Sequence, residues 1–248
     1  ELDAMRKHRA WALILFMIIF GAAFVQANPQ SEYLDSGFQS LLYHAIRLEE
    51  SFPSVNPVGM AITEFEKAAR ETLTSGEANL MLGLIYQYLD RPGTALGYYL
   101  EFAQQHPEAV WIYSFVGDMY AEMGRLEDAK RSYERTVAGA GEGEIFAQAY
   151  VGLGNAALEQ GDYTQAKEAF EKALTDAGDY FDARLGLGKA LFFLEEYEEA
   201  IAALERAQVQ APRSAAMLHY LALSYEAQGL HDQAQHALAR YEELQSKD

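Results

Sequence analysis

Residues Phe181 to Ser214, FDARLGLGKALFFLEEYEEAIAALERAQVQAPRS, form a unit that much of the chain repeats. The same columns return at intervals of thirty-four residues, and five copies begin at Gly76, Val110, Ala147, Phe181 and Ala215. Column seven is Leu82, Val116, Leu153, Leu187 and Leu221. Column eight is Gly83, Gly117, Gly154, Gly188 and Ala222. Column twenty is alanine throughout, as Ala95, Ala129, Ala166, Ala200 and Ala234. Column twenty-four is large: Tyr99, Tyr133, Phe170, Leu204, Leu238. One step is thirty-seven residues, because the glycine-rich stretch Ala138 to Glu144 lengthens a connection.

Apolar residues recur three and four apart on either side of a turn, so each copy predicts two helices. Gly124, Gly161 and Gly229 share a column at that turn, where a left-handed residue ends the first helix. A glycine inside a helix costs about 1 kcal/mol against alanine. Four of them in column eight therefore predict close approach of the paired helix, with the large columns filling the gap to the next copy. Pro107 and Pro212 stop second helices. The fold class expected is all-α, an α-solenoid of helix-turn-helix units.

Period, small columns, aromatic columns and terminal prolines together resemble the tetratricopeptide repeat family over residues 76–248. The copies are then 76–109, 110–143, 147–180, 181–214 and 215–248. Arg184 departs from the usual apolar residue of its column, and Gly141 and Gly178 replace prolines. The resemblance implies a concave face used for protein or peptide binding, lined by columns two, five, nine and twelve of the first helices. On that basis Trp111, Ser114, Asp118, Asn155, Lys189, Phe192 and His219 are groove candidates, and neighbouring columns add Tyr88, Phe115, Phe193 and Tyr220. Trp111, Phe115 and Phe192 would serve as anchors, with Asn155 and Asp118 guiding a peptide backbone. Aromatic residues at this spacing equally suit plain packing between copies. Lys189 alone does not make the carboxylate clamp of some family members.

Residues 5–27 read as a signal peptide or signal anchor: a basic start at Met5 to Arg9, an apolar run from Ala10 to Val25, and small residues at Val25 and Ala27. Sixteen residues of helix reach about 24 Å, short of a hydrocarbon core of about 30 Å. Cleavage after Ala27 is expected. Residues 1–4 are then an upstream stretch outside the functional chain. Residues 28–37 read as a linker. Residues 38–75 form a degenerate sixth unit or plain hairpin, with helices near Phe38 to Ser51 and Val58 to Thr74, that caps the stack. At the other end, Leu230, Leu238, Tyr241 and Leu244 either pack within a self-capping helix or become a docking surface.

The chain carries a net charge of −18, or −19 without residues 1–27, which argues against nucleic acid and anionic lipid as partners. There is no cysteine, hence no disulfide and no lipidated residue after the signal. GLGNAA at Gly152 and GLGKA at Gly186 imitate nucleotide-binding fingerprints, but their glycines occupy helix-packing columns. His231 and His236 are five apart, off the same-face spacing of a metal pair. The carboxylates at Glu195, Glu196, Glu198 and Glu199 suit a solvated helix start. No catalytic residue, cofactor or metal is expected. The reading is an exported, non-enzymatic scaffold with a protein or peptide partner, periplasmic or secreted, resembling the periplasmic tetratricopeptide proteins of bacterial envelopes. The alternative is an accessory subunit of an inner-membrane complex, anchored by a retained N-terminal helix and facing the periplasm.

Overall fold

The computed structural model of the chain describes residues 57–70, 75–139, 144–177 and 180–246. The signal, the linker, the helix near Phe38 to Ser51 and most of the AGAGEGE connection lie outside the described residues. Among the described residues every regular element is a helix: α1 (Pro57–Ala68), α2 (Ser75–Tyr88), α3 (Pro92–Gln105), α4 (Ile112–Glu122), α5 (Leu126–Val137), α6 (Glu144–Gln160), α7 (Tyr163–Ala177), α8 (Phe181–Phe193), α9 (Tyr197–Gln210), α10 (Ala215–Ala227) and α11 (His231–Gln245). None of the described helices is long and apolar enough to cross a membrane. Two compact units divide the chain after Gly124, inside the second copy of the repeat.

In the first unit α1 packs on α2, α2 on α3 and α3 on α4. Phe65 and Ala68 of α1 are fully buried in its core with Leu82, Ile85, Tyr99 and Ile112. Phe65 stands in column twenty-four of the degenerate unit, so the apolar columns extend to that segment. In the second unit each first helix packs on the second helix before it and the one after it, and α6, α8 and α10 also touch one another in order.

The column-eight glycines are explained by direct contact. A Cβ on Gly83 would meet the Tyr99 ring, on Gly154 the Phe170 ring at 2.6 Å, and on Gly188 the Leu204 Cγ at 2.5 Å. Each of those neighbours is the column-twenty-four residue of the same copy. The following copy closes on its other side, through a glycine of column six: Gly152 lies under Tyr133, and Gly186 under Phe170. Phe170 is thus held between Gly154 and Gly186. Tyr99, Tyr133, Phe170 and Leu204 are 0–3% exposed, and the alanines of column twenty are buried too. Leu238, the equivalent residue of α11, is 43% exposed, and Leu230 is 41% exposed, whereas Leu244 is buried and Tyr241 packs on His219. The last helix therefore packs one edge, while Leu238 and the preceding Leu230 remain in solvent.

The first helices end in the same way. Gly124, Gly161 and Gly229 have φ of 71°, 76° and 73°, and the same column in the other two copies is filled by Asp90 at 58° and Glu195 at 63°. The following residue returns to the helix, with Arg91 N–H donating to the Tyr86 carbonyl, Asp162 to Ala157, Glu196 to Leu191 and Leu230 to Tyr225. This is the Schellman arrangement, which satisfies carbonyls the helix leaves open. Asp162 then caps α7 by accepting from the Gln165 N–H at 3.0 Å, and Ser214 caps α10 by accepting from Met217 at 3.3 Å.

Gly186→Ala is expected to destabilise the second unit by about 1–3 kcal/mol despite its better helix propensity, because Phe170 has no side to retreat to; urea unfolding checks this, and Phe170→Leu in the same chain should recover part of the loss. Glu195→Gly is expected to stabilise by about 1 kcal/mol by removing a side chain from left-handed backbone, seen as a higher unfolding midpoint.

Candidate functional site

Once columns three, seven, eight and eleven of the first helices turn toward the second helices, column nine is left on the opposite face. In the second unit this gives a strip across α6, α8 and α10 with Asn155 exposed, Lys189 partly buried and Leu223 38% exposed. Phe192 and His219 flank it, both partly buried.

Aromatic rings surround the middle of the strip. Phe192 meets Phe193, Tyr197 and Tyr220 at centroid distances of 5.5, 5.8 and 5.7 Å. Phe193, 42% exposed, stacks on Tyr163 at 4.7 Å with the planes 12° apart. His219 lies 5.5 Å from Tyr220 and 5.2 Å from Tyr241. Lys189 Nζ stands over the Tyr220 ring, 5.5 Å from its centroid. Removal of water by these rings lowers the Lys189 pKa below its usual 10.5, with a smaller opposing pull from the Asp182 carboxylate. The site thus offers an amide, a desolvated cation and ring edges and faces on one surface.

Beneath it, side chains tie neighbouring helices together. Tyr225 Oη donates to Glu205 Oε1 at 2.6 Å, and burial with this carboxylate raises the phenol pKa strongly. Lys167 pairs with Glu196, and Gln160 donates to Glu127 at 2.8 Å. These bonds leave the strip itself uncommitted.

The remaining candidates lie in the first unit. Tyr88 is 44% exposed at the end of α2. Trp111 is not the free anchor expected: it is partly buried against the core, 5.6 Å from Phe102 and 6.1 Å from Phe115. Phe115 in turn lies 5.6 Å from Tyr99, filling the column-six place that Gly152 and Gly186 take in the next two copies. Both rings are thus partly buried among neighbouring aromatic side chains. Ser114 is 1% exposed, and its hydroxyl has no hydrogen-bond partner. It is therefore corrected from a groove residue to an interior one: a hydroxymethyl group is too short to reach past Trp111, one turn earlier on the same face. Asp118 is partly buried near Tyr99, whose phenol pKa rises well above normal, chiefly by burial and secondarily through the Asp118 charge.

Models of the tetratricopeptide repeat match residues 77–109, 117–180 and 157–221, more than half of the chain. The chain belongs to the tetratricopeptide repeat family. Among solved structures it is similar to MamA, with 25% identity, a TM-score of 0.57 and coverage of 67% of this chain and 95% of that one. It shares its fold with MamA from Desulfovibrio magneticus RS-1, at 18% identity, TM-score 0.60, and coverage of 70% and 96%. The fold is shared too with YrrB, described as a TPR protein with an unusual peptide-binding site, at 18% identity, TM-score 0.60, and coverage of 73% and 92%. A comparison with curated protein sequences gave no match.

Within these tetratricopeptide repeats, four of the nine expected residues, Asn155, Lys189, Phe192 and His219, fall on or beside one strip. Tyr163 and Tyr197 also border it without a sequence expectation, and Tyr241, expected only at the C-terminal edge, reaches His219. Tyr163 and Tyr197 share column seventeen, the first position of a second helix, and that recurrence beside Phe193 was the available signal.

Lys189→Met is expected to stabilise the second unit near neutral pH. The folded-state pKa lies below the unfolded value, so the unfolded chain binds more protons between the two and wild-type stability rises with pH across that interval. The gain from the substitution should therefore be full below the lowered pKa and shrink as pH approaches 10.5; urea unfolding of both proteins from pH 7 to 10.5 measures it.

Proposed function

We propose that this chain is an exported, non-enzymatic interaction scaffold that holds an extended segment of a partner protein along the α6, α8 and α10 strip. The family and its fold support the scaffold part. One observation carries the location: column nine presents Asn155 and Leu223 exposed and Lys189 partly buried on adjacent helices, while columns eight and ten on either side of it are buried. An amide can pair with a partner's backbone, and exposed apolar and ring surface gives that pairing its affinity. Export rests on the basic and apolar pattern of residues 5–27. Service in assembling a bacterial envelope complex is the setting such a part fits.

A random peptide library displayed against the full chain tests the location. Selected peptides should lose about tenfold or more in affinity to Leu223→Glu and Asn155→Ala, both at exposed positions that leave the fold intact, and should bind Tyr88→Ala unchanged. Selected peptides indifferent to both strip variants would refute the location. The mass of the native protein tests export: a chain beginning at Asn28 is expected, and one retaining Ala10 to Val25 would favour the membrane-anchored subunit instead.

A further inference from the structure

Lys189 is a partly buried cation over a ring, whereas Lys172, which lies over the Tyr150 ring, is exposed. Lys167 pairs with Glu196, Arg131 with Asp128, and Arg240 donates to the Pro212 carbonyl at 2.7 Å. Among the described residues no carboxylate is in ion-pair contact with Lys189, although the chain carries 37 acidic residues against 19 lysines and arginines. Asp182 lies two turns away on the same helix and acts only at a distance. The ammonium instead rests on the Tyr220 ring, partly stripped of water. A charge so placed has already lost part of its hydration, so an arriving anion gains more from it than from a solvated lysine.

Four residues on, Phe193 extends from the same face of α8, about 6 Å further along the axis. Tyr163 supports the ring from one side by stacking, and the edges of Phe192 and Tyr220 fix it from others, at 5.5 and 6.0 Å. The turn beyond it is held by Glu195 in left-handed backbone, a strained conformation for this side chain. The Lys189 ammonium and the exposed Phe193 ring thus flank one Tyr220 ring, 5.5 and 6.0 Å from its centroid, and their Cβ atoms, four residues apart on one helix, are spaced by about 6 Å. In an extended chain, side chains on one face recur every second residue, about 6.5–7 Å apart.

From this spacing we propose that α8 recognises an internal acidic residue followed or preceded, two positions away, by an aromatic or proline ring, with the carboxylate on Lys189 and the ring on Phe193. This rests on the reading of the strip as a segment-binding surface, and it adds the chemistry of the segment. It also runs against the overall charge, which by itself favours a basic partner.

The test uses fluorescein-labelled twelve-residue peptides in a Gly-Ser background, amidated at the C-terminus so that the only carboxylate is a side chain. Four carry Glu-Ser-Tyr, Gln-Ser-Tyr, Glu-Ser-Ala or adjacent Glu-Tyr, and their anisotropy is read with the full chain. Glu-Ser-Tyr should bind about tenfold tighter than Gln-Ser-Tyr, and tighter than the other two. Lys189→Gln should erase the Glu preference alone, and Phe193→Ala the Tyr preference alone, with circular dichroism unchanged in both. Equal binding of Glu and Gln peptides to the wild type overturns the proposal, as does binding that requires a free C-terminal carboxylate. If library peptides bind the strip without the acid-x-ring pattern, this inference falls and the strip stands. If nothing binds the strip, the broader reading falls with it.

Discussion

The fold depends on a large side chain seated where two helices leave no room for a Cβ. Phe170 shows the arrangement in full, its ring between Gly154 of its own copy and Gly186 of the next. Phe170 joins the two helices of its own copy and binds the next copy through the same ring, so one side chain serves both the pairing and the stacking. The helix propensity lost at glycine is about 1 kcal/mol per position, and burial of a whole aromatic ring exceeds it. First-unit packing meets the same demand differently, with Phe115 lying against Tyr99 where the next two copies place Gly152 and Gly186.

In the second unit that packing uses one side of each first helix, whereas in α2 Leu80 and Leu84 of the opposite side are buried as well. On α8 the buried side holds Ala183, Leu187, Gly188 and Leu191, and the other holds Lys189 and Phe193. The residues that pack α8 and those proposed to recognise a partner are therefore different ones. At Lys189, loss of water favours the neutral amine over the ammonium, with the Asp182 carboxylate opposing. The Tyr163, Phe192 and Tyr220 rings hold their neighbours in place before any partner does, which reduces the ordering a bound segment must bring about.

Much of the fold was legible in the sequence because a repeated column reports a repeated contact. Five alanines in column twenty and three glycines at one turn have no other common cause, and the left-handed φ values at Gly124, Gly161 and Gly229 agree with it. What the columns concealed was the left-handed backbone at Asp90 and Glu195, since neither residue type signals it. The site was legible only in part. Column nine identified Asn155 and Lys189, but periodicity does not say how deep a side chain lies. Trp111 and Ser114 share a face with the expected groove, yet the first is packed on Phe102 and the second is enclosed. Tyr163 contributes from a different copy and a different helix, a proximity that no single-helix pattern contains.

The central claim is that the second unit binds through the uncommitted face of its first helices, and amide hydrogen exchange in the presence and absence of a bound peptide addresses it most directly. The account predicts slowed exchange in α8 and α10, concentrated toward residues 185–193 and 219–227, with α7, α9 and α11 unchanged. Slowing centred on α11 around Leu230 and Leu238, with α8 unaffected, would contradict it and would place the binding surface on the last helix.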